Sequence, residues 1–137
     1  MNQSYASEQI NKLSSLILAS QRLVVFTGAG VSTESGISDF RSPGGLWERY
    51  DPDDFTIRKF LHSPETRKKM WHMMATEFLV DVQPNPAHYA LAELDKLGKL
   101  DCIITQNVDD LHQRSGVSRD KVYELHVNML WAVCLSC

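Results

Sequence analysis

The sequence of 137 residues lacks a long apolar run, a surplus of basic residues and a rich set of cysteines. No segment approaches the roughly 20 apolar residues that a membrane-spanning helix needs. The N-terminus shows neither the basic nor the apolar region of a signal peptide. The formal net charge is −3, so no basic surplus is available to bind nucleic-acid phosphates. We therefore expect no membrane partner and no direct nucleic-acid partner.

The three cysteines are Cys102, Cys134 and Cys137. Such an odd and sparse set does not indicate a disulfide framework, so a reducing, cytoplasmic location is expected. Cys102 stands inside an apolar run and is interpreted as a small core residue. Cys134 and Cys137 have the C-x-x-C spacing of half a structural zinc site, which normally has four ligands. These two are therefore candidate zinc ligands, in a site that another chain or residues outside this sequence would have to complete.

The pattern of apolar residues predicts a single α/β domain. Hydrophobic residues make up 43% and charged residues 23% of the sequence, so a packed globular core is expected. Short β-branched runs alternate with stretches of helical periodicity, an order typical of a parallel sheet covered on both faces. The predicted helices cover residues 5–20, 64–80 and about 85–98, and the predicted strands cover 22–26, 101–105 and 121–125. The predicted core stripe of the third helix is Ala87, Ala90, Leu91, Leu94 and Leu97.

Polar motifs follow all three predicted strands directly. Gly28-Ala29-Gly30 follows the first, residues 106–109 (Gln-Asn-Val-Asp) follow the second, and His126 follows the third. Since the carboxyl ends of parallel strands meet at one edge of the sheet, these motifs should converge in one crevice.

The glycines of the first motif suit a phosphate site. Two glycines after a strand let the backbone turn tightly and approach a pyrophosphate, although a simple strand-to-helix turn has the same pattern. The usual dinucleotide fingerprint has a third glycine three residues after the second. Here that position is Thr33, and the next glycine is Gly36. This departure counts against an ordinary dehydrogenase.

Four longer segments resemble the sirtuin family. Residues 28–47, GAGVSTESGISDFRSPGGLW, resemble its NAD-binding signature, and residues 105–112, TQNVDDLH, resemble its second motif. Leu125-His126 and the later Cys-Leu-Ser-Cys resemble the third motif and the first zinc pair, while PNPAHYALAELDKLG resembles the helix before the second motif. The resemblance covers nearly the whole chain but only the first half to two-thirds of a typical family catalytic core.

The resemblance implies an NAD site built by the first two motifs. The glycine-rich turn would hold the phosphates, and the mobile loop after it would offer Arg41 as a charge for phosphate and Phe40 as a shield for the reactive sugar. Gln106 and Asn107 would contact the nicotinamide ribose, and the next two residues would grip the carboxamide, whose NH₂ suits a carboxylate acceptor. The implied cofactor residues are Gly28, Ala29, Gly30, Ser32, Asp39, Phe40, Arg41, Trp47, Gln106, Asn107, Val108 and Asp109.

The resemblance also implies the activity, which is NAD-dependent deacylation of lysines in a protein or peptide substrate. His126 would be the general base, with Asn107 as a second catalytic residue; a histidine suits proton transfer near neutral pH. In the family's reaction the acyl oxygen attacks C1′ of the ribose, nicotinamide leaves, and the products are free lysine and O-acyl-ADP-ribose. Without the resemblance, a single histidine after a strand would be interpreted as structural. His88 and His112 are interpreted as packing or capping residues.

The resemblance further implies an acyl preference and a fold. Residues 73–77 lack the Tyr-x-x-Arg pair by which the desuccinylase-like branch holds an acidic acyl group, so short neutral groups such as acetyl are favoured. The implied fold is a Rossmann-like parallel sheet, incomplete at its C-terminus, with a helical insertion and the start of a zinc-ribbon module. The expected boundaries are 1–50 and 85–128 for the sheet, 50–85 for the insertion and 129–137 for the zinc module.

Two departures from the family leave other functions open. The family has glycine after the catalytic histidine, whereas this chain has Val127, which resists positive φ and close approach. Val127 is therefore expected to crowd the acyl-lysine tunnel or to displace His126, unless the backbone stays extended there and tolerates it. The second zinc pair and the later strands of the family are also absent from the sequence. The alternatives are a non-catalytic remnant that binds NAD or a partner, and a protein mono-ADP-ribosyltransferase.

Overall fold

The computed structural model describes residues 3–78, 81–126, 128–131, 133–134 and 136. Within these residues, regular elements alternate along the chain in an α/β order. Helices α1 to α5 span Gln3–Ala19, Ile57–His62, Pro64–Met73, Pro86–Lys96 and Leu111–Arg114, and strands β1 to β3 span Leu23–Thr27, Leu100–Thr105 and Val122–Glu124. Shorter 3-10 helices span Ala29–Ser35, Leu46–Glu48, Pro52–Phe55 and Arg119–Lys121, and a π-helical turn spans Met74–Phe78. No helix in these residues is long and apolar enough to cross a membrane.

The three strands form one parallel sheet in the order β1-β2-β3. Thr27 at the end of β1 pairs with Thr105 at the end of β2, and Thr105 pairs in turn with Glu124 at the end of β3. This register confirms the predicted α/β fold with a parallel sheet, and it aligns the carboxyl ends of all three strands.

The core lies between the middle of the sheet and α4. Ala92 of α4 is buried with Leu100 and Ile103 of β2 and with Val117, and flanking apolar side chains pack against this cluster. Ile103 has no exposed surface, as expected for the central strand of a sheet. Burying a side chain of this size contributes about 1.5–3 kcal/mol relative to leaving it exposed, so this cluster anchors the elements that carry the site.

The sheet is not covered on both faces along β1, contrary to the expectation from sequence. Val24 and Phe26 are 51% and 62% exposed, because alternate side chains of a strand point to opposite faces and no described element covers theirs. The predicted helix α1 is present, but three of its apolar side chains, those of Ile10, Leu13 and Leu16, are also more than half exposed. The apolar run of β1 therefore predicted the strand correctly but did not reveal which face is covered.

Side-chain caps set the starts of two predicted helices. Ser63 accepts a hydrogen bond from the Thr66 amide (3.2 Å) at the start of α3. Asn85 caps α4 by accepting from the amides of Ala87 and His88, and the His88 ring accepts from the Asn85 amide in return. Both caps are of the preferred residue types, which is why the sequence located these helices well.

Other local features differ from the predictions. The helix predicted over 64–80 ends as an α-helix at Met73 and continues as the π-helical turn, where the Thr76 hydroxyl donates to the His72 carbonyl (3.0 Å). Helix α2 was not predicted. The predicted stripe of α4 is confirmed only in part. Leu91 and Leu94 pack against the core, but Ala87, Ala90 and Leu97 are exposed, whereas His88 and Ala92 are buried.

Candidate functional site

A cavity of about 410 Å³ lies at the carboxyl end of the sheet. Its walls come from the segments that follow all three strands and from the π-helical turn, so the three polar motifs line one cavity. The lining residues are Gly28, Ala29, Gly30, Ser32, Ile37, Asp39, Phe40, Arg41, Phe78, Gln106, Asn107, Val108, Asp109 and His126.

This cavity brings together all but one of the predicted cofactor residues and both predicted catalytic residues. The exception is Trp47, whose ring packs behind the lining against Phe40, with 5.0 Å between ring centroids. Ile37 and Phe78 also line the cavity and were not predicted. Phe78 falls within the helix predicted over residues 64–80, and the apolar spacing of a helix does not distinguish a cavity wall from a core contact.

The glycine-rich turn leaves open space beside its backbone. Gly28 is extended, with φ −141° and ψ −176°, and neither Gly28 nor Gly30 is at positive φ. A Cβ atom on Gly30 would have no neighbour within 4 Å, and one on Gly28 would make only ordinary contact with Gln106 at 3.6 Å. The two glycines are therefore not required by a tight turn, contrary to the expectation from sequence. What they provide is a bare backbone on the cavity wall, which a bulky anion could approach.

Three polar side chains from two loops form a cluster in the cavity wall. The Ser32 hydroxyl donates to Asp109 Oδ2 (2.7 Å). The side-chain amide of Asn107 donates to Ser32 Oγ (3.0 Å) and to Asp109 Oδ2 (3.2 Å). The other carboxylate oxygen of Asp109 accepts from the Leu111 amide (3.0 Å), at the start of α5. These bonds connect the loops after β1 and β2 and fix the direction of the carboxylate.

Asp39 holds the shape of the loop that closes one side of the cavity. Its carboxylate accepts from the amides of Arg41 (3.1 Å) and Ser42 (2.8 Å) and from the Ser42 hydroxyl. The hydrogen bonds from Ser42, with a smaller contribution from the Arg41 amide, lower the pKa of Asp39. Gly45 is packed too closely for a side chain, because a Cβ atom there would lie 2.8 Å from the Ser42 carbonyl oxygen. Asp39 therefore organises the loop, while the Arg41 side chain beside it is exposed.

Aromatic rings connect this loop to the helical segment. The Phe40 ring lies 5.0 Å from Trp47 and 6.2 Å from Phe78, and Trp47 lies 5.7 Å from Phe55. These spacings are typical of packed aromatic pairs. The apolar wall of the cavity is therefore shared between the loop and the π-helical turn.

His126 stands at the opening of the cavity, two residues after β3. The preceding amide, that of Leu125, donates to the Thr105 carbonyl (2.9 Å), and the Met129 amide donates to the Val108 carbonyl (3.0 Å). His126 itself is exposed. The backbone on both sides is thus anchored to the β2 segment, and Val127 lies outside the described residues.

The predicted zinc ligands are not assembled in the described part of the chain. Cys134 is exposed, Cys137 lies outside the described residues, and no group of three or more His, Cys, Asp or Glu there could hold a metal ion. A structural zinc site normally needs four ligands, so the described residues alone do not fit a zinc ion.

The fold and the cavity define a Rossmann-like α/β domain with a polar site at the carboxyl end of its sheet. The chain belongs to the Sir2 family, whose model matches residues 28–137. It is 47% identical over 135 residues to NAD-dependent protein deacetylase 1 of Pyrobaculum aerophilum, covering 97% of this chain and 51% of that protein. It is 46% identical to NAD-dependent protein deacetylase of Sulfolobus acidocaldarius, covering 97% and 52%.

Solved structures of the same family superpose on the chain. A mutant Sir2 homologue in complex with ADP-ribose has a TM-score of 0.81 at 45% identity, covering 92% of this chain and 50% of that one. A Sir2 homolog–NAD complex has 0.78 at 46% identity, covering 93% and 49%. A Sir2 mutant with a deacetylated p53 peptide and 3′-O-acetyl ADP-ribose has 0.80 at 38% identity, covering 88% and 48%. The chain therefore spans about half the length of the relatives it matches.

Proposed function

We propose that the protein carrying this chain is an NAD-dependent protein lysine deacylase that removes short neutral acyl groups such as acetyl. One observation carries the proposal: the glycine-rich turn, the Ser32–Asn107–Asp109 cluster and His126 line a single cavity. The names of the matched relatives, which are deacetylases and deacylases, support the same activity.

The cavity has the features that an NAD molecule needs. The bare backbone at Gly28 and Gly30 and the exposed Arg41 side chain suit the phosphates. The fixed carboxylate of Asp109 accepts hydrogen bonds and suits the carboxamide NH₂ of nicotinamide. Gln106 and Asn107, between these two ends, suit the ribose hydroxyls. The NAD complex of a matched Sir2 homolog supports this assignment.

The chemistry divides between the cosubstrate and the chain. When bound, NAD supplies a ribose carbon from which nicotinamide can leave and a hydroxyl that accepts the acyl group. The role proposed for His126 is to take a proton from that hydroxyl, which its position at the cavity opening allows. Asn107 would hold the ribose in place, and Phe40 would exclude water from the reacting carbon.

The cavity wall favours a neutral acyl group. Its cationic lining residue is Arg41, on the loop after the glycine-rich turn and assigned above to phosphate. The π-helical turn places the apolar ring of Phe78 in the wall, and this ring cannot bind a carboxylate. An acidic acyl group would therefore lose its hydration without gaining a counter-charge. The acylated partner would be a lysine in a peptide or protein, as in the matched complex with a deacetylated p53 peptide.

Finer features also stay proposals. We propose that residues 50–85 form a helical insertion in a sheet domain of residues 1–50 and 85–128, and that residues 129–137 begin a zinc ribbon. Cys134 and Cys137 would supply one pair of zinc ligands, and a second pair would come from outside this sequence. The cytoplasmic location stays a prediction from the cysteine content.

The test measures nicotinamide release from NAD with an acetyl-lysine peptide and with the unmodified peptide. We expect release that depends on acetylation, appearance of O-acetyl-ADP-ribose, and a fall of at least about 100-fold in His126→Ala. His72→Ala, which removes an exposed histidine from α3, is the matched control. ADP-ribose attached to protein would instead favour mono-ADP-ribosylation.

A folded chain that binds NAD but releases no nicotinamide would overturn the proposal in favour of the non-catalytic remnant. Val127→Gly then separates the two departures from the family. If Val127→Gly restores nicotinamide release, the valine caused the inactivity. If the variant stays inactive, the valine alone is not the cause.

A further inference from the structure

A chain of buried hydrogen bonds runs beneath Asn107, on the side away from the cavity. The backbone amide of Asn107 donates to Thr105 Oγ1 (3.0 Å), which also accepts from the Thr27 hydroxyl (2.9 Å). Thr27 Oγ1 lies 2.9 Å from His112 Nε2. Thr27, Thr105 and His112 are 8%, 2% and 1% exposed, and none of them lines the cavity.

The direction of these bonds defines the tautomer of His112. In the arrangement in which the Thr27 hydroxyl donates to Thr105, its oxygen is left to accept from His112, and Nε2 carries the hydrogen. His112 Nδ1 is then an unprotonated acceptor, and it is buried without a hydrogen-bond partner in the described residues.

His88 provides the complementary group. Its Nδ1 accepts from the Asn85 amide (3.3 Å), so its Nε2 carries a hydrogen that is likewise buried without a partner. The rings of His88 and His112 lie 5.0 Å apart between centroids, and the Ser115 hydroxyl lies 3.1 Å and 2.7 Å from their carbonyl oxygens. One ring thus has a buried N–H donor and the neighbouring ring a buried acceptor, and the Ser115 hydroxyl connects the two helices.

Both histidines are neutral at physiological pH. Burial lowers the pKa of His88, and burial together with the neighbouring His88 lowers the pKa of His112 to about 4. A neutral ring keeps one donor and one acceptor, whereas a charged ring would have two donors and could not keep the arrangement.

We propose that His112 is a positioning residue for the deacylation reaction, which acts through the hydroxyls of Thr27 and Thr105 to hold Asn107 in the cavity wall. This inference rests on the proposed function. The side chain of Asn107 is held from the cavity side by Ser32 and Asp109, and its backbone amide is held from beneath by Thr105, so the two sets of bonds together fix the residue in the wall.

The loss of His112 should affect Asn107 and spare the other residues of the site. His112 touches neither the proposed phosphate site nor the proposed base, so its loss should misplace Asn107 and leave the rest of the cavity intact. A displacement of this kind at a reacting centre lowers the rate of the chemical step more than it weakens binding.

The test compares His112→Phe, which keeps a ring of similar size without the donor, with His112→Gln, which restores an N–H donor of similar reach. We expect His112→Phe to lower kcat for nicotinamide release about tenfold with a KM for NAD within about twofold. His112→Gln should recover most of the loss. Equal losses in both variants, or a loss confined to the KM for NAD, would overturn the proposal.

Thr27→Val removes a hydroxyl from the same chain of bonds with little change in side-chain volume. If His112→Phe does not fold, Thr27→Val is used for the test instead. Since both changes break one path, the double variant should be no worse than either single variant. Losses that multiply would show two independent effects and contradict the inference.

A measurement without turnover separates this proposal from the proposed function. In ¹⁵N-labelled protein, the imidazole shifts of His112 should report the Nε2–H tautomer, and His112→Phe should shift the side-chain NH₂ signal of Asn107. The opposite tautomer, or an unchanged Asn107 signal, would refute the positioning role even in a protein that releases no nicotinamide.

Discussion

The side chains of Arg49 and Glu77 form a two-bonded ion pair that joins the loop beside the cavity to the π-helical turn. Arg49 Nη1 and Nη2 lie 2.6 Å and 3.0 Å from the two carboxylate oxygens of Glu77, which also accepts from the Tyr50 hydroxyl at 3.3 Å. The next residue after Glu77 is Phe78, which lines the cavity. The ion pair therefore sets the distance between the loop and the apolar end of the site.

Replacing Arg49 should affect the acyl substrate. Lysine keeps the charge but cannot form the planar two-bonded contact, so Arg49→Lys should loosen Phe78 and lower kcat/KM for an acetyl-lysine peptide about threefold to tenfold. Arg22→Lys, which alters the exposed pair with Asp101, is the matched control and should have no effect. Steady-state kinetics with both variants checks this. An unchanged kcat/KM in Arg49→Lys would show that the pair does not position the turn.

Alanine at two glycines should have opposite consequences. At Gly45 a Cβ atom would lie 2.8 Å from the Ser42 carbonyl oxygen and 2.9 Å from the Phe40 carbonyl carbon, so Gly45→Ala should displace the loop and lower both Tm and NAD affinity. At Gly30 a Cβ atom meets nothing within 4 Å, so Gly30→Ala should keep the Tm and weaken NAD binding alone. Thermal unfolding and calorimetric titration separate the two. If Gly45→Ala left the Tm unchanged, the loop would be more adaptable than its contacts indicate.

The buried histidine pair predicts a loss of stability in acid. The pKa of His112 is lowered to about 4 from an ordinary value of 6.5, so between these values the unfolded chain binds a proton that the folded chain does not. The stability contributed is therefore full above pH 6.5 and is lost as the pH falls towards 4. The neighbouring charge of Asp109 opposes this shift, and His88 adds a smaller loss in the same direction.

Urea unfolding at pH 7 and pH 5 measures the effect. We expect wild type to lose on the order of 1–2 kcal/mol more between these values than His112→Phe does, because the variant lacks the titrating ring. Taking the difference between the two proteins removes the contribution of every other group. Equal pH dependence would mean that His112 is accessible to solvent.

A buried carboxylate at the start of α5 depends on one exposed arginine. Asp110 has the only positive φ among the described non-glycine residues (61°), and its side chain is 3% exposed. The Arg119 guanidinium nitrogens lie 3.3 Å from both of its oxygens. Arg119→Gln leaves this carboxylate buried without a counter-charge and should destabilise the fold by about 1–2 kcal/mol.

Asparagine at 110 is the matched companion, since it removes the charge and still tolerates positive φ. The double variant Arg119→Gln with Asp110→Asn should be more stable than Arg119→Gln alone. Chemical denaturation of the three variants provides the comparison. A double variant that is the least stable of the three would argue against an unpaired charge as the cause.

Much of the fold could be predicted because local chemistry decides it. Ser63 and Asn85 cap two of the helices that the sequence predicts, and the β-branched runs form the strands. The face of each element was harder to predict. His88 turns inward in α4 because its ring is used by the cap and lies against His112, a residue 24 positions away. Such a contact leaves no trace in the spacing of apolar residues.

The site was predicted from motifs that follow the strands, and the parallel register brings them together. The roles of individual residues in the site were harder to predict from the sequence. Asp39 was expected among the cofactor residues, yet its carboxylate is occupied by the amides of its own loop. Phe78 falls within a helix that was expected to continue to residue 80, whereas the π-helical turn places it at the cavity. In both cases the outcome depends on backbone geometry that residue types do not specify.

The pairing of β1 with β2 has a consequence for the order of events during folding. Thr27 and Thr105 are 78 positions apart, whereas α4, β2, α5 and β3 follow one another closely along the chain. Distant pairing has a larger entropic cost of chain closure than local pairing, so β1 should join last. The cavity then exists only after the main barrier has been crossed. We expect NAD to slow unfolding and to leave the refolding rate unchanged in stopped-flow experiments. The ligand would then stabilise the folded protein kinetically without accelerating its formation.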